Sequence, residues 1–345
     1  MRTEAVVLRT HGGPEVLTRE TIDVDDPRPR EVTVRVRAVA LNHLDIWVRR
    51  GMPNLKLAYP HVLGSDVVGE VEGLGAGAQH VKVGDRVVVS PGLSCGLCER
   101  CLSGHDNLCV RFGILGEHVR GGYARHVVVP DTNLLPYPND LPFTAAAAIP
   151  LAFLTAWQMV VIKARVEPGQ TVLVQSAGSG VSSAAIQIAK LFGARVIATT
   201  GHGGKVEKAR LLGADEVIDR SSCDFVREVK NLTSGRGADV VIEHVGGEVL
   251  TASIRATAKG GRIVTCGASA GHSPAIDLRH VFFRQIEILG STMGPKATLF
   301  TILDHIRSGK LRPVVDRVLP LWEAAQAHRN LESRDVFGKV VLEVD

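Results

Sequence analysis

The sequence predicts an α/β protein of two domains, an antiparallel β-barrel or sandwich followed by a doubly wound parallel sheet. Three observations carry this. Short β segments punctuated by Gly and Pro fill the first 140 residues, strand and helix patterns alternate after Pro150, and a Gly/Ser turn joins the first of those later strands to its helix. In the first part, EVTVRVRAVAL, VVGEVEGLG, DRVVVSP and ARHVVVP read as strands bounded by turn residues. In the second, TVLVQSA is followed by the helical pattern VSSAAIQIAKLFG. RVIATT, KVEKARLLGA, EVID, FVREVKNLT, ADVVIEHVG, LTASIRATAKG and RIVTCGA then continue the alternation of strand and helix. After Met293, the helices TLFTILDHIRSG and LWEAAQAHRNLE and the strand GKVVLEV must rejoin the first domain. The expected boundaries are 1–150, 151–293 and 294–345.

At 345 residues the chain is long enough for about two domains with separate cores. Hydrophobic content of 45% and charged content of 22% are ordinary for a globular protein. The net charge of +4 is spread without a block of Lys or Arg, which argues against a nucleic-acid surface. MRTEAVVLRT lacks a signal-like apolar core. The uncharged stretch Leu141–Ile162 has the length of a membrane span, but its Ala content, Pro150, Thr155 and Gln158 favour a buried helix pair. Four of the six cysteines cluster, leaving Cys223 and Cys266 isolated, so a reducing cytoplasm is expected.

Cys95, Cys98, Cys101 and Cys109 form C-x2-C-x2-C-x7-C, in a lobe covering about residues 90–112. Two-residue gaps let thiolates converge from a tight turn, and the fourth can close a tetrahedron around a structural Zn2+. The common bacterial iron–sulfur run places its fourth Cys sooner and follows it with Pro, whereas Val110 follows here. Disulfides fit poorly with a chain lacking secretory features.

Ser176, Gly178, Ser179, Gly180 and Val181 occupy the strand-to-helix turn where a dinucleotide's pyrophosphate binds, with Ser183 at the third glycine position of the fingerprint. An NAD-selective site places an acid at the end of the second strand. This chain has Thr199, Thr200, Gly201, His202, Gly203, Gly204 and Lys205, with no acid before Glu207. Thr200, His202 and Lys205 suit a 2′-phosphate, so NADP is expected with NAD as the alternative; Lys205 reads equally as a solvated helix-start residue.

With the cysteine lobe, Val83–Val87 (VGDRV), Gly121-Gly122-Tyr123-Ala124 and the AGSGVSSAA turn in this order, the chain resembles the medium-chain dehydrogenase/reductase superfamily over essentially its whole length. The resemblance implies a GroES-like catalytic domain, an inserted Rossmann domain, an active site between them and one structural zinc in the lobe. It also places Val245, Gly246, Gly267, Ala268 and Met293 along the nicotinamide half of the cofactor, and pairs IEILGST across a homodimer or homotetramer. The family's zinc alcohol dehydrogenases hold a second, catalytic zinc, and here the sequence departs. Asn42 stands at the first ligand position, Ser65 and Asp66 replace the His-Glu pair, and Leu151 stands at or near the third. Asn42 matches the quinone oxidoreductase and enoyl reductase branches, which work without catalytic metal. Regrouping of His43, His61, Asp45 and Asp66 around another divalent ion is the alternative.

Without a Lewis acid, conjugate reduction is the less demanding chemistry, because charge spreads onto a carbonyl as hydride reaches the β-carbon. The expectation is an NAD(P)-dependent reductase of quinones or α,β-unsaturated carbonyls. Asn42 would be an oriented amide donor, and His43 and Asp45 proton-relay groups. Asn42 reads alternatively as a strand-end residue satisfying backbone groups, and Asp45 as a remnant of a lost ligand shell. The runners-up are an alcohol dehydrogenase with an atypical metal or none, and a nucleotide-binding protein without turnover. Trp47, Leu55, Phe153, Trp157 and Met293 suggest a small apolar substrate, and Cys266 reads as core packing.

Overall fold

The computed structural model describes residues 1–138, 140–201 and 203–345. It divides into two compact units, Met1–Leu151 with Pro295–Ser308 and Pro313–Asp345, and Ala152–Gly294 with Gly309–Arg312.

The first unit begins with strands β1 (Arg2–Leu8), β2 (Thr18–Asp23) and β3 (Glu31–Ala40) and helix α1 (His43–Arg50). Strands β4 (His61–Val62), β5 (Asp66–Leu74) and β6 (Arg86–Val89) follow. Next come β7 (Gly92–Leu93), the one-turn helix α2 (Glu99–Leu102), β8 (Gly113–Ile114), β9 (His126–Pro130), β10 (Leu134–Pro136) and α3 (Phe143–Ala147). The second unit contains most of α4 (Pro150–Trp157), then β11 (Thr171–Val174), α5 (Gly180–Leu191), β12 (Arg195–Thr200), α6 (Val206–Leu211), β13 (Glu216–Asp219), α7 (Phe225–Leu232), β14 (Ala238–Glu243), α8 (Gly247–Ala256), β15 (Thr257–Thr265), α9 (Leu278–Arg284) and β16 (Glu287–Gly290). The return to the first unit supplies α10 (Thr298–Arg307), β17 (Val315–Pro320), α11 (Ala324–Glu332) and β18 (Lys339–Glu343).

In the first unit one sheet runs β2-β1-β4 and a larger one β10-β6-β5-β3-β18-β17, with β9 also on β3. Alternating Val residues of β3 and β5 face a core shared with Leu321, Ala327, Val340 and Leu342 of the returning chain. Each fully buried Val or Leu contributes about 1.5–3 kcal/mol, which holds the C-terminal segment in the core of the first unit. The pairing of β3 sets up the site. Ala40, its last residue, lies opposite Asp66, the first of β5, and opposite Val341 near the start of β18. Asn42, Asp66 and Lys339 therefore meet at one end of three neighbouring strands.

The second unit's sheet runs β13-β12-β11-β14-β15-β16, all parallel, with the order reversing beside β11. Every residue of TVLV in β11 is buried, as both-face coverage by helices requires. Two sequence expectations shift here. LTASIRATAKG ends its helix at Ala256, where Thr257 turns extended and its hydroxyl caps the Ser253 carbonyl at 2.7 Å, so TAKG joins β15. The uncharged stretch at Leu141–Ile162 resolves into α3, α4 and a wider helical turn over Gln158–Lys163. Among the described residues no helix is long and apolar enough to cross a membrane.

Candidate active site, nucleotide turn and metal centre

The cysteine lobe is pinched off by the antiparallel pair β7–β8. Gly96, at φ +70°, makes the turn that brings Cys95 and Cys98 together. The four Sγ atoms lie within 4.8 Å of one another, with Cys98–Cys101 at 3.5 Å and Cys95–Cys101 at 3.9 Å. Four thiolates about 2.3 Å from one ion sit about 3.8 Å apart, so the donor set fits Zn2+ in size and chemistry. Backbone N–H groups already point at sulfur: Leu97 and Cys98 donate to Cys95 Sγ, and Arg111 to Cys109 Sγ, at 3.3–3.5 Å. The N–H groups of Leu97 and Cys98 bring the Cys95 thiol down to about 5, while burial pushes Cys101 up to about 11. Side chains missed by sequence reasoning anchor the lobe. Asn133 Nδ2 donates to the Ser90 and Gly92 carbonyls at 2.7 Å, and the Lys296 backbone N–H and ammonium bond Asp106 and Asn133 at 3.0 Å.

In the second unit, Ser176 takes φ +54° as the chain leaves β11, and Ser179 caps α5 by accepting from Ser182 N at 3.0 Å. His244 Nε2 lies 3.0 Å from Ser179 Oγ and 2.8 Å from Ser182 Oγ, and Ser182 Oγ donates to the Gln175 carbonyl at 2.6 Å. Gly178, Gly180 and Val181 complete this turn and the first residues of α5, whose open N–H groups suit a phosphate. At the end of β12, the buried Thr200 Oγ1 has no hydrogen-bond partner among the described residues, an orphan that a bound ribose would satisfy. Lys205 immediately precedes α6, and His202 lies outside the described residues. Sequence reasoning passed over Arg220, whose guanidinium donates to Ser176 Oγ at 3.0 Å. It is the residue directly after β13, and no glycine pattern marks it.

Val245 and Gly246 form a tight turn held by the buried Glu243 carboxylate, which accepts both N–H groups at 2.7 and 2.8 Å. Gly246 has φ +73°, and a Cβ there would fall 2.2 Å from the Gly271 carbonyl oxygen and 3.0 Å from Ala268 Cα. Only glycine serves. Gly267 and Ala268 follow β15, and the Ser291-Thr292-Met293 segment is tied to the end of β15 by Ser291 N to the Thr265 carbonyl at 2.9 Å. Phe153, Trp157 and Met293 are buried in this unit, Trp157 edge-on to Phe192. Burial pushes the Cys266 thiol up to about 12, which suits packing and not reactivity.

The third cluster is in the first unit. Asn42 Nδ2 donates to Asp66 Oδ2 at 2.9 Å, and the Leu151 N–H donates to Asp66 Oδ1 at 2.6 Å. Positions 42, 66 and 151 thus meet around one buried carboxylate. The Lys339 ammonium completes the group, 2.6 Å from Asn42 Oδ1 and 2.8 Å from Asp66 Oδ2. Its side chain is 5% exposed and that of Asp66 not at all. Asp45 sits beneath, accepting from Asn42 N at 2.7 Å and Gly64 N at 2.9 Å. Burial raises its carboxyl to about 6 although both bonds pull the other way. Burial lowers His43, and the neighbouring Arg334 and Lys339 charges act the same way; His61, whose Nε2 lies 3.0 Å from the Gly116 carbonyl, is also lowered by burial.

This cluster does not fit a divalent metal. The carboxylate oxygens of Asp45 and Asp66 are committed to N–H and ammonium donors, and a fixed positive charge already sits on the oxygens that would ligate. Among the described residues the four cysteines are the only group of three or more His, Cys, Asp or Glu placed to share an ion; His43, His61, Asp45 and Asp66 are not placed so in this structure.

Comparison with known proteins supplies the family. Residues 28–139 match the family model of the alcohol dehydrogenase GroES-like domain, and residues 180–308 that of the zinc-binding dehydrogenase. The chain is 31% identical to an NAD-dependent alcohol dehydrogenase of Sulfolobus acidocaldarius, covering 99% of both chains. It is 30% identical to a quinone oxidoreductase of Rattus norvegicus, over 96% of this chain and 94% of that one. A crystal structure described as an NAD-dependent alcohol dehydrogenase superposes with a TM-score of 0.96 at 57% identity, covering 99% of this chain and all of the other. The chain belongs to the medium-chain dehydrogenase/reductase superfamily and is an NAD(P)-dependent oxidoreductase.

Proposed function

We propose that this protein reduces quinones or α,β-unsaturated carbonyls with NAD(P)H, and does so without a catalytic metal. The observation that carries the reading is the Lys339 ammonium on Asn42, at the first ligand position of the zinc alcohol dehydrogenases, and on Asp66, next to the second. The reduced nicotinamide, when bound, supplies the hydride. As the hydride reaches the β-carbon, electron density moves onto the substrate oxygen, where the second N–H of the Asn42 amide donates. Asp45, with both oxygens held by backbone N–H groups, positions Asn42 and α1. The α-carbon then takes a proton, with half-buried His43 on α1 as the candidate relay that passes it in from solvent.

On this reading the first unit carries the substrate chemistry and one zinc on Cys95, Cys98, Cys101 and Cys109, which braces the lobe. The second unit holds the cofactor through Ser176, Gly178, Ser179, Gly180, Val181, Thr200, Val245, Gly246, Gly267, Ala268 and Met293. Arg220 beside Ser176, together with Lys205 and the lack of an acid at Thr200, supports NADPH over NADH. The edge strand β16 and the exposed Phe282 and Phe283 support a homodimer or homotetramer. A second reading, NAD-linked alcohol oxidation, is favoured by the names of the Sulfolobus relative and of the 57%-identical structure. Following NADPH and NADH oxidation with p-benzoquinone and crotonaldehyde, and NAD reduction with alcohols, separates the two. Turnover of alcohols alone would overturn the reductase assignment.

A further inference from the structure

We propose that Lys339 is the positioning residue that makes Asn42 a strong hydrogen-bond donor, a fixed cation built into the protein where a metal would otherwise polarise the site. The inference rests on the reading above that Asn42 donates to the substrate oxygen. A lysine ammonium offers only donors and a carboxylate only acceptors. With Lys339 on one side of the Asn42 amide and Asp66 on the other, a flipped amide would set N–H against ammonium and oxygen against carboxylate. One orientation survives. In it, Oδ1 is spent on Lys339 and one Nδ2 hydrogen on Asp66, and the second hydrogen remains for a ligand. An ammonium on the carbonyl oxygen draws electrons from the amide nitrogen and strengthens that remaining N–H as a donor. Burying this lysine is tolerable only because Asp66 neutralises it, and Asp66 is itself fixed by the Leu151 N–H. The strand register places the charge: β18 begins at Lys339, next to the end of β3 and the start of β5.

The test compares the natural protein with Lys339→Met, which strands the Asp66 carboxylate, and with Asp66→Asn/Lys339→Met, which strands neither partner of the pair. Loss of Lys339 in the double variant should lower kcat for p-benzoquinone or crotonaldehyde about 10–100-fold relative to the natural protein, the range for a group that orients another. The KM for NADPH should stay within about twofold, and Lys339→Arg should restore part of the rate. Adding Asn42→Ala to the double variant should cost less than about twofold more, since the two residues act as one unit. An unchanged kcat on losing Lys339, or losses that multiply, would overturn the proposal. If Asn42→Ala alone keeps full kcat, the donor reading of Asn42 has failed instead. A readout independent of turnover is the side-chain amide resonance of Asn42, identified by its absence in Asn42→Ala. It should move in Lys339→Met and in the double variant alike; an unmoved resonance contradicts the polarisation.

Discussion

The cysteine lobe and the Asn42–Asp66–Lys339 cluster present the same electrostatic problem and handle it in opposite ways. In the lobe, four sulfurs are folded within 4.8 Å of one another, and thiolates held that close repel unless a cation joins them. The second cluster also concentrates oxygen ligands, but it carries its own cation on a side chain 5% exposed. A metal can leave and a lysine cannot. The difference teaches where a metal would be needed: a zinc would close a loop that has little core of its own, while strand register already supplies the charge at the end of β3.

The largest expected effect comes from breaking the lobe. Cys109→Ser removes its one buried ligand, and because structural zinc affinity is folding free energy of order 10 kcal/mol, the protein should lose zinc and unfold locally. Metal analysis with limited proteolysis of residues 92–114 checks this; retained zinc and an intact lobe would contradict it. A smaller effect belongs to Asp45. Its carboxyl stands near 6 in the folded chain, above the ordinary value of about 3.9. The folded state therefore holds an extra proton between those values, and stability should fall as pH rises from about 4 to about 6, by about 3 kcal/mol. Denaturant titration across that window should show the slope in the natural protein and lose it in Asp45→Asn. The smallest effect concerns the cofactor. Arg220→Ala should raise the KM for NADPH about tenfold, the worth of one charge-assisted hydrogen bond, and leave that for NADH unchanged.

Much of this was legible in the sequence because it is local. The cysteine spacing, the glycine turn and the strand–helix alternation are short-range patterns, and each lies within one element or turn. What the sequence hides is brought together by register. Lys339 lies 297 residues from Asn42, inside GKVVLEV, and reads there as an ordinary strand residue. Arg220 is equally silent until the parallel sheet sets the end of β13 near the nucleotide turn. The absent ligands at positions 42, 65 and 151 could be counted in sequence, but not what took their place. His43 and Asp45, expected together as proton relays, are separated by environment, since both Asp45 oxygens are occupied by backbone N–H groups.

The most direct test is the zinc-to-chain ratio of the purified protein, measured by mass spectrometry on a preparation whose NADPH-dependent turnover is recorded in parallel. One zinc per chain, with turnover unaffected when divalent metal is added, is the result expected of a site that carries its own cation. Two metals per chain, with turnover that follows occupancy of the second, would contradict it.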